Sequence, residues 1–183
     1  MSLSARGVGR ALLLLVLCGP SHAGKTTFAN RLRRSGQNFT VISPDNIRRR
    51  LHLRVGDPER EGEVWDIYES MKLVALSKSR NVVLDACHIS KRARWHGLQG
   101  PHAGYRKICV VFDLPLRTVR ERCIKEKRLS VREVERIWRA FQKNKPTVKR
   151  LKAEGFDEVY FVIEGLAYAG EGPRYRHRSL NEE

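Results

Sequence analysis

The chain has 183 residues, enough for one α/β domain with a core that needs neither disulfides nor structural metal. Its 36 Lys and Arg outweigh 20 Asp and Glu, a formal net charge of +16, and a field of that sign concentrates polyanions and speeds their arrival. Nucleic acid is the economical partner; solubilising helix faces is the plainer use of the same charge. Four scattered cysteines, Cys18, Cys87, Cys109 and Cys123, form no C-x-x-C pair and no Cys/His ligand spacing, which excludes a zinc site and reads them as reduced residues in or beside the core.

The first predicted element is the apolar run Ala11 to Cys18. With Arg6 and Arg10 before it and Ser21-His22-Ala23 after it, this run imitates a secretory signal and its cleavage site. Eight apolar residues are too few to span a bilayer as a helix, and they suit a strand buried on both faces. The expectation is a soluble, cytoplasmic protein with no membrane partner. Directly after the run, Gly19-Pro20-Ser21-His22-Ala23-Gly24-Lys25-Thr26 matches G-x-x-x-x-G-K-[ST], the phosphate-binding P-loop. Gly19, Ser21, His22, Ala23, Gly24, Lys25, Thr26 and Thr27 are expected to cradle a nucleoside triphosphate, with backbone N–H groups and the start of a helix over Thr26 to Arg34 turned to the anion. Lys25 would neutralise the β- and γ-phosphates and Thr26 would ligate Mg²⁺.

A short strand around Thr40–Ile42 leads into Ser43-Pro44-Asp45-Asn46-Ile47-Arg48. Asp45 suits a general base that accepts a proton from an acceptor hydroxyl, and it equally suits the N-cap of a helix over Asn46 to Leu51. Arg48, one turn further on the same face, would grip an acceptor phosphate, whereas Arg49 and Arg50 point to solvent. Val64, Ile67, Tyr68, Met71 and Ala75 keep helical spacing and read as core packing. The next strand, Val82–Leu84, ends in Asp85, placed to hold the metal through water or to cap the following loop. Beyond it, Lys91, Arg92 and Arg94 interleave with Trp95, a pattern that tracks a nucleic-acid backbone and stacks a base, or that merely half-buries a surface tryptophan.

Ile108–Phe112 is a further strand, followed by a basic segment from Arg117 to Arg128. In a kinase this segment is a lid over ATP that supplies an arginine to the transition state; Arg122 and Arg128 are the candidates and the remaining charges are solvated. Lys125–Leu129 is expected as a loop, because Ser130 and Glu133 form a capping box for a helix carrying Val131, Val134, Ile137, Trp138 and Phe141. Val159–Ile163 is the last strand, and residues 165–183 are expected as a tail after a domain of residues 1–164. Apolar runs alternating with helical stripes predict an α/β fold, a central parallel sheet with helices on both faces. Ligands of such sheets bind beyond the carboxyl ends of the strands, which directs attention to Gly19–Thr26, Ser43–Arg48, Asp85–His88 and Asp113–Pro115.

From Leu12 to about Val162 the chain resembles the phage-type polynucleotide 5′-hydroxyl kinases, a P-loop kinase family with an AAA-type ATPase-like domain. The likeness rests on GPSHAGKTTFA, ISPDNIRRRL, NVVLDACHISKRAR, VFDLPLRTVRERC and EGFDEVYFV. It implies a P-loop kinase fold with a helical lid, ATP and Mg²⁺, and transfer of the γ-phosphate to a 5′-OH end of DNA or RNA. It implies Lys25 and Thr26 as phosphate and metal ligands, Asp45 as base, Arg48 as acceptor-phosphate contact, and Arg122 or Arg128 as the lid arginine. Asp85-Ala86-Cys87-His88 stands where the family commonly has D-x-T-N, so two polar contacts are lost and His88 is the candidate to replace one. Asp45, Arg48, Asp85, His88 and Arg92 are therefore the acceptor-side candidates. The rivals are a kinase of a small metabolite and an ATP-dependent nucleic-acid-binding module without phosphotransfer.

Overall fold

The computed structural model describes residues 11–53, 59–127, 129–163 and 166–169. Strands β1 (Leu12–Cys18), β2 (Phe39–Ile42), β3 (Asn81–Leu84), β4 (Tyr105–Phe112), β5 (Glu158–Ile163) and β6 (Leu166–Ala169) form one sheet in the order β2-β3-β1-β4-β5-β6. The first five are parallel, and β6 closes the far edge antiparallel to β5. Helices α1 (Lys25–Arg34), α2 (Pro44–Arg50), α3 (Glu61–Ser77), α4 (Lys91–Gly97), α5 (Leu116–Glu126), α6 (Val131–Lys143) and α7 (Val148–Ala153) make the connections.

The continuous apolar runs are explained by burial on both faces of the sheet. Along β1, Leu14, Val16 and Cys18 join Val82, Leu84, Cys109 and Val111 in one core with Tyr68 of α3 and Leu151 of α7. The alternate residues Leu15 and Leu17 join Val83, Val110 and Phe112 in the other, against Ala29 of α1, Val119 and Cys123 of α5 and Val134 of α6. A polar residue at either set of positions would face a packed helix layer, so no alternation was possible. All four cysteines are free thiols, as expected. No described helix is long and apolar enough to cross a membrane.

Three element boundaries differ from the sequence reading. Helix α2 starts at Pro44 with Ser43 as N-cap, because proline at the first helical position loses no hydrogen bond; Asp45 is thus inside the first turn and is not the cap. Helix α5 continues through Lys125 and Glu126 into the expected loop and is stopped by Lys127, whose φ of 52° is left-handed and whose N–H bonds the Cys123 carbonyl. Strand β6 lies within the segment expected as a tail, and its pairing Phe161↔Tyr168 and Val162↔Ala167 carries the sheet past residue 164. The remainder of that segment, 165 and 170–183, falls outside the described residues. The Ser130–Glu133 capping box is formed as predicted, with both reciprocal bonds present.

Candidate active site

Strand β1 delivers the chain at Cys18 into a loop shaped by its neighbours. Gly19 has φ 149°, and a Cβ there would lie 2.7 Å from the Phe112 carbonyl oxygen, so only glycine lets the loop pass β4 this closely. Its N–H donates to the Cys87 carbonyl at 2.9 Å. Helix α1 then begins with Gly24 as N-cap, with no side-chain cap and no acidic residue in its first turn. Helix starts usually carry both; here the first N–H groups and the positive dipole end are left to an anion. Lys25, 7% exposed, donates from Nζ to the carbonyls of Gly19 at 3.0 Å and Pro20 at 2.6 Å, bridging the loop it follows.

In a cavity of about 960 Å³ that the P-loop also lines, Asp45 and Arg48 of α2 form part of the wall. Arg48 Nη1 donates to Asp45 Oδ1 at 2.7 Å, the i,i+3 pairing that the spacing predicts. The rest of the guanidinium is taken by a residue the sequence reading did not single out: Nε donates to Glu61 Oε2 at 3.1 Å and Nη2 to Glu61 Oε1. Burial works against the Arg48 charge, but Glu61, and after it Asp45, more than offset this and hold the guanidinium above its ordinary pKa. Arg48 therefore orients Asp45 as much as it offers a charge to a substrate.

The third strand end carries Asp85, 5% exposed, and the loop to Ser90, all on the cavity wall. His88 is also buried; its Nδ1 lies 2.8 Å from the Leu17 carbonyl and its Nε2 3.3 Å from the Tyr68 hydroxyl. Burial, with smaller contributions from Lys25 and Lys72, lowers its pKa to about 4, so the ring is neutral, donates from Nδ1 to the carbonyl and accepts from Tyr68. Both nitrogens are spent inside the protein. Arg94 is corrected from a nucleic-acid contact to an interior clamp: it is 3% exposed, pairs in bidentate fashion with Glu154 at 2.7 and 2.8 Å, and donates to the His88 and Ile89 carbonyls. Its neighbours Lys91, Arg92 and Trp95 stay exposed, and Arg92 lines the cavity.

Helices α5 and α6 stand where the lid is expected. Arg122 does not line the cavity; its Nη1 donates to the P-loop carbonyl of His22 at 3.3 Å and lies close to Gly24, while His22 Nδ1 pairs with Glu126 at 2.9 Å. Arg128 lies outside the described residues. Arg117 and Arg120 pair with Glu121 and Glu135 on the surface, the solvated role foreseen for most of this segment. Arg136, on α6, lines the cavity and was missed, because the reading of that helix followed only its apolar stripe. Trp65, Asp66 and Glu69 of α3 line the cavity from positions outside the apolar stripe of that helix and were missed for the same reason, whereas Tyr68, a member of the stripe, meets both the core and the cavity.

The loop fits a nucleoside triphosphate, since Gly19 sits where a Cβ would collide, Gly24 takes a positive φ at the helix start, and a lysine follows it. It also fits Mg²⁺. Thr26 and Asp85 both line the cavity, and among the described residues no cluster of three His, Cys, Asp or Glu exists to cage a metal alone. A hard cation held by one hydroxyl, one carboxylate and the nucleotide's own phosphates matches the preference of Mg²⁺. The cavity wall as a whole is not basic: six carboxylates, Asp45, Asp66, Glu69, Asp85, Glu126 and Glu133, accompany Lys25, Arg48, Arg92 and Arg136.

Comparison with known proteins gives the same architecture. The model of a family described as AAA domain matches residues 14–146. A chain of the Pnkp1/Rnl/Hen1 RNA repair complex superimposes with a TM-score of 0.65 at 23% identity, over 78% of this chain and 48% of that one. A chain of the PezAT chromosomal toxin-antitoxin system of Streptococcus pneumoniae gives 0.62 at 18%, over 87% and 71%. The Mycobacterium tuberculosis APS kinase CysC, in complex with AMPPNP and APS, gives 0.50 at 20%, over 64% and 71%. At these identities the likeness is one of fold, and this chain spans about half the length of the RNA-repair chain it matches. No curated protein sequence matches it.

Proposed function

We propose, because this chain belongs to the AAA domain family and has a kinase-like P-loop fold, that it transfers the γ-phosphate of ATP to the 5′-hydroxyl end of DNA or RNA. The observation that carries this reading is Asp45: it is no helix cap, it lines the same cavity as the P-loop, and Arg48 holds it at 2.7 Å. A carboxylate so placed accepts the proton of the acceptor hydroxyl as its oxygen bonds to the γ-phosphorus, while the bond from that phosphorus to the β–γ bridging oxygen breaks and ADP leaves. Lys25 and the α1 N-terminus bind the donor phosphates, and Arg122, once it leaves the His22 carbonyl, or Arg128 neutralises charge on the transferred group. Mg²⁺, held by Thr26 and Asp85, supplies further charge neutralisation when bound. His88 acts through its bonds to Leu17 and Tyr68, supporting the loop that presents Asp85.

A polynucleotide acceptor is favoured by the net charge of +16, by exposed Lys91 and Arg92 beside the cavity, and by the fold shared with an RNA repair complex chain. Label transfer from γ-labelled ATP with Mg²⁺ to matched 5′-OH DNA and RNA oligonucleotides tests it, with 5′-phosphorylated copies as blocked controls. Labelling confined to 5′-OH strands and lost in Asp45→Asn is expected; survival of transfer in that variant refutes the base assignment. The acceptor KM should rise with salt, with a slope of roughly 0.7 per phosphate contact on single strands. A small-molecule acceptor is the second reading, favoured by the six carboxylates on the cavity wall. ATP binding without labelling of any strand would select it and call for a metabolite screen.

A further inference from the structure

We propose that Trp65 is the platform on which the terminal base of the acceptor stacks, setting the 5′-hydroxyl against Asp45; this rests on the polynucleotide reading. Of the three tryptophans, Trp65 is the one that lines the cavity. It is 41% exposed, a large aromatic side chain left partly uncovered at the wall of a concave site, where such surface serves a ligand. Its edge is fixed. The indole N–H donates to Glu61 Oε1 at 3.0 Å, and the ring packs edge-to-face on Tyr68 with centroids 5.3 Å apart. Tyr68 is itself buried and bonded to His88, so the ring rests on an immobile support. The hydrogen bond uses an edge atom and leaves the ring faces out of it.

Glu61 makes the juxtaposition specific. The same carboxylate that holds the indole also takes two donors of Arg48, whose third holds Asp45. One chain of contacts therefore joins the aromatic surface to the candidate base, and a base stacked on the first is held in register with the second. Stacking needs no particular base, which suits an enzyme that acts on ends of any sequence. The remaining tryptophans do not compete: Trp95 is exposed away from the cavity wall, and Trp138 is half-buried with its N–H on the Leu114 carbonyl.

The test compares Trp65→Ala, Trp65→Phe and wild type on 5′-OH oligonucleotides that carry either a base or an abasic residue at the 5′ end. Wild type should show an acceptor KM about ten- to a hundredfold lower for the base-bearing strand. Trp65→Ala should erase that preference with the KM for ATP unchanged, and Trp65→Phe should keep most of it. A Trp65→Ala enzyme that still prefers the base-bearing strand overturns the proposal. If wild type labels neither strand, the polynucleotide reading has failed, and the platform is judged alone by titrating free adenosine and cytidine against tryptophan fluorescence. Quenching in wild type that is absent from Trp65→Phe keeps the platform, and identical quenching in the two overturns it.

Discussion

Glu154→Ala should cost about 3–5 kcal/mol of folding stability, although Glu154 touches no substrate. Arg94 makes four hydrogen bonds, two to Glu154 at 2.7 and 2.8 Å and two to the carbonyls of His88 and Ile89 at 3.2 and 3.0 Å. The arginine side chain is 4% exposed and its partner 10%, so alanine leaves a buried guanidinium with half its acceptors and its counter-charge removed. Against a domain stability of roughly 5–15 kcal/mol this is a large fraction. It corresponds to a drop in Tm of roughly 6–20 °C for a chain of this size. Urea titration and thermal melting followed by circular dichroism measure it. Glu121→Ala, which breaks an exposed pair with side chains 90% and 55% accessible, is the control and should leave both unchanged. Since Arg94 also fixes the loop that presents Asp85, ATP-dependent labelling should fall in Glu154→Ala at temperatures where the protein is still folded. A stability loss below about 1 kcal/mol would refute the clamp and return Arg94 to the surface role its sequence suggested.

Removing the lysine that bridges the P-loop, in Lys25→Ala, should weaken ATP by about ten- to a hundredfold in equilibrium binding, and unchanged affinity would refute the cradle. Arg122→Ala should lower kcat by about a hundredfold while ATP affinity changes little, if the arginine moves from the His22 carbonyl to the transferred phosphoryl group; single-turnover labelling separates the two. For His88, burial depresses the folded pKa to about 4, below the unfolded value near 6.5. The unfolded chain then binds the extra proton, and stability that is full above pH 6.5 falls as pH drops toward 4. Between pH 6.5 and 5 this amounts to about 2 kcal/mol, and His88→Gln should flatten that part of the stability profile.

The parallel sheet was legible because strand segments buried on both faces must be apolar at every position, and Leu12–Cys18 and the Ile108–Phe112 part of β4 are long enough for this to stand out, while Arg106 and Lys107 hid the start of that strand. Strand β6, with Leu166–Ala169 and glycines on either side, lacks that signal and forms through pairing with β5. Asp45 and Arg48 were found together because three residues apart on a helix means adjacent. Glu61, which completes the same cluster, sits 13 positions away from Arg48 and no local spacing announces it. Arg94 misled for the opposite reason: a basic residue between Arg92 and Trp95 has the local pattern of a surface, and its burial is decided by Glu154, 60 positions distant.

The contacts that shape Gly19 also bear on how the protein is made. Gly19 leaves the ribosome before the Cys87 carbonyl that its N–H bonds and the Phe112 carbonyl it packs against have been synthesised. At about 5–20 residues per second, Phe112 follows Gly19 by roughly 5–20 s. Until then the nascent segment carries the phosphate-binding residues without the wall that curves them around an anion. A nucleotide bound in this loop would therefore stabilise the fold only once β4 has been translated and docked, and a chain stalled before that point would gain nothing from it.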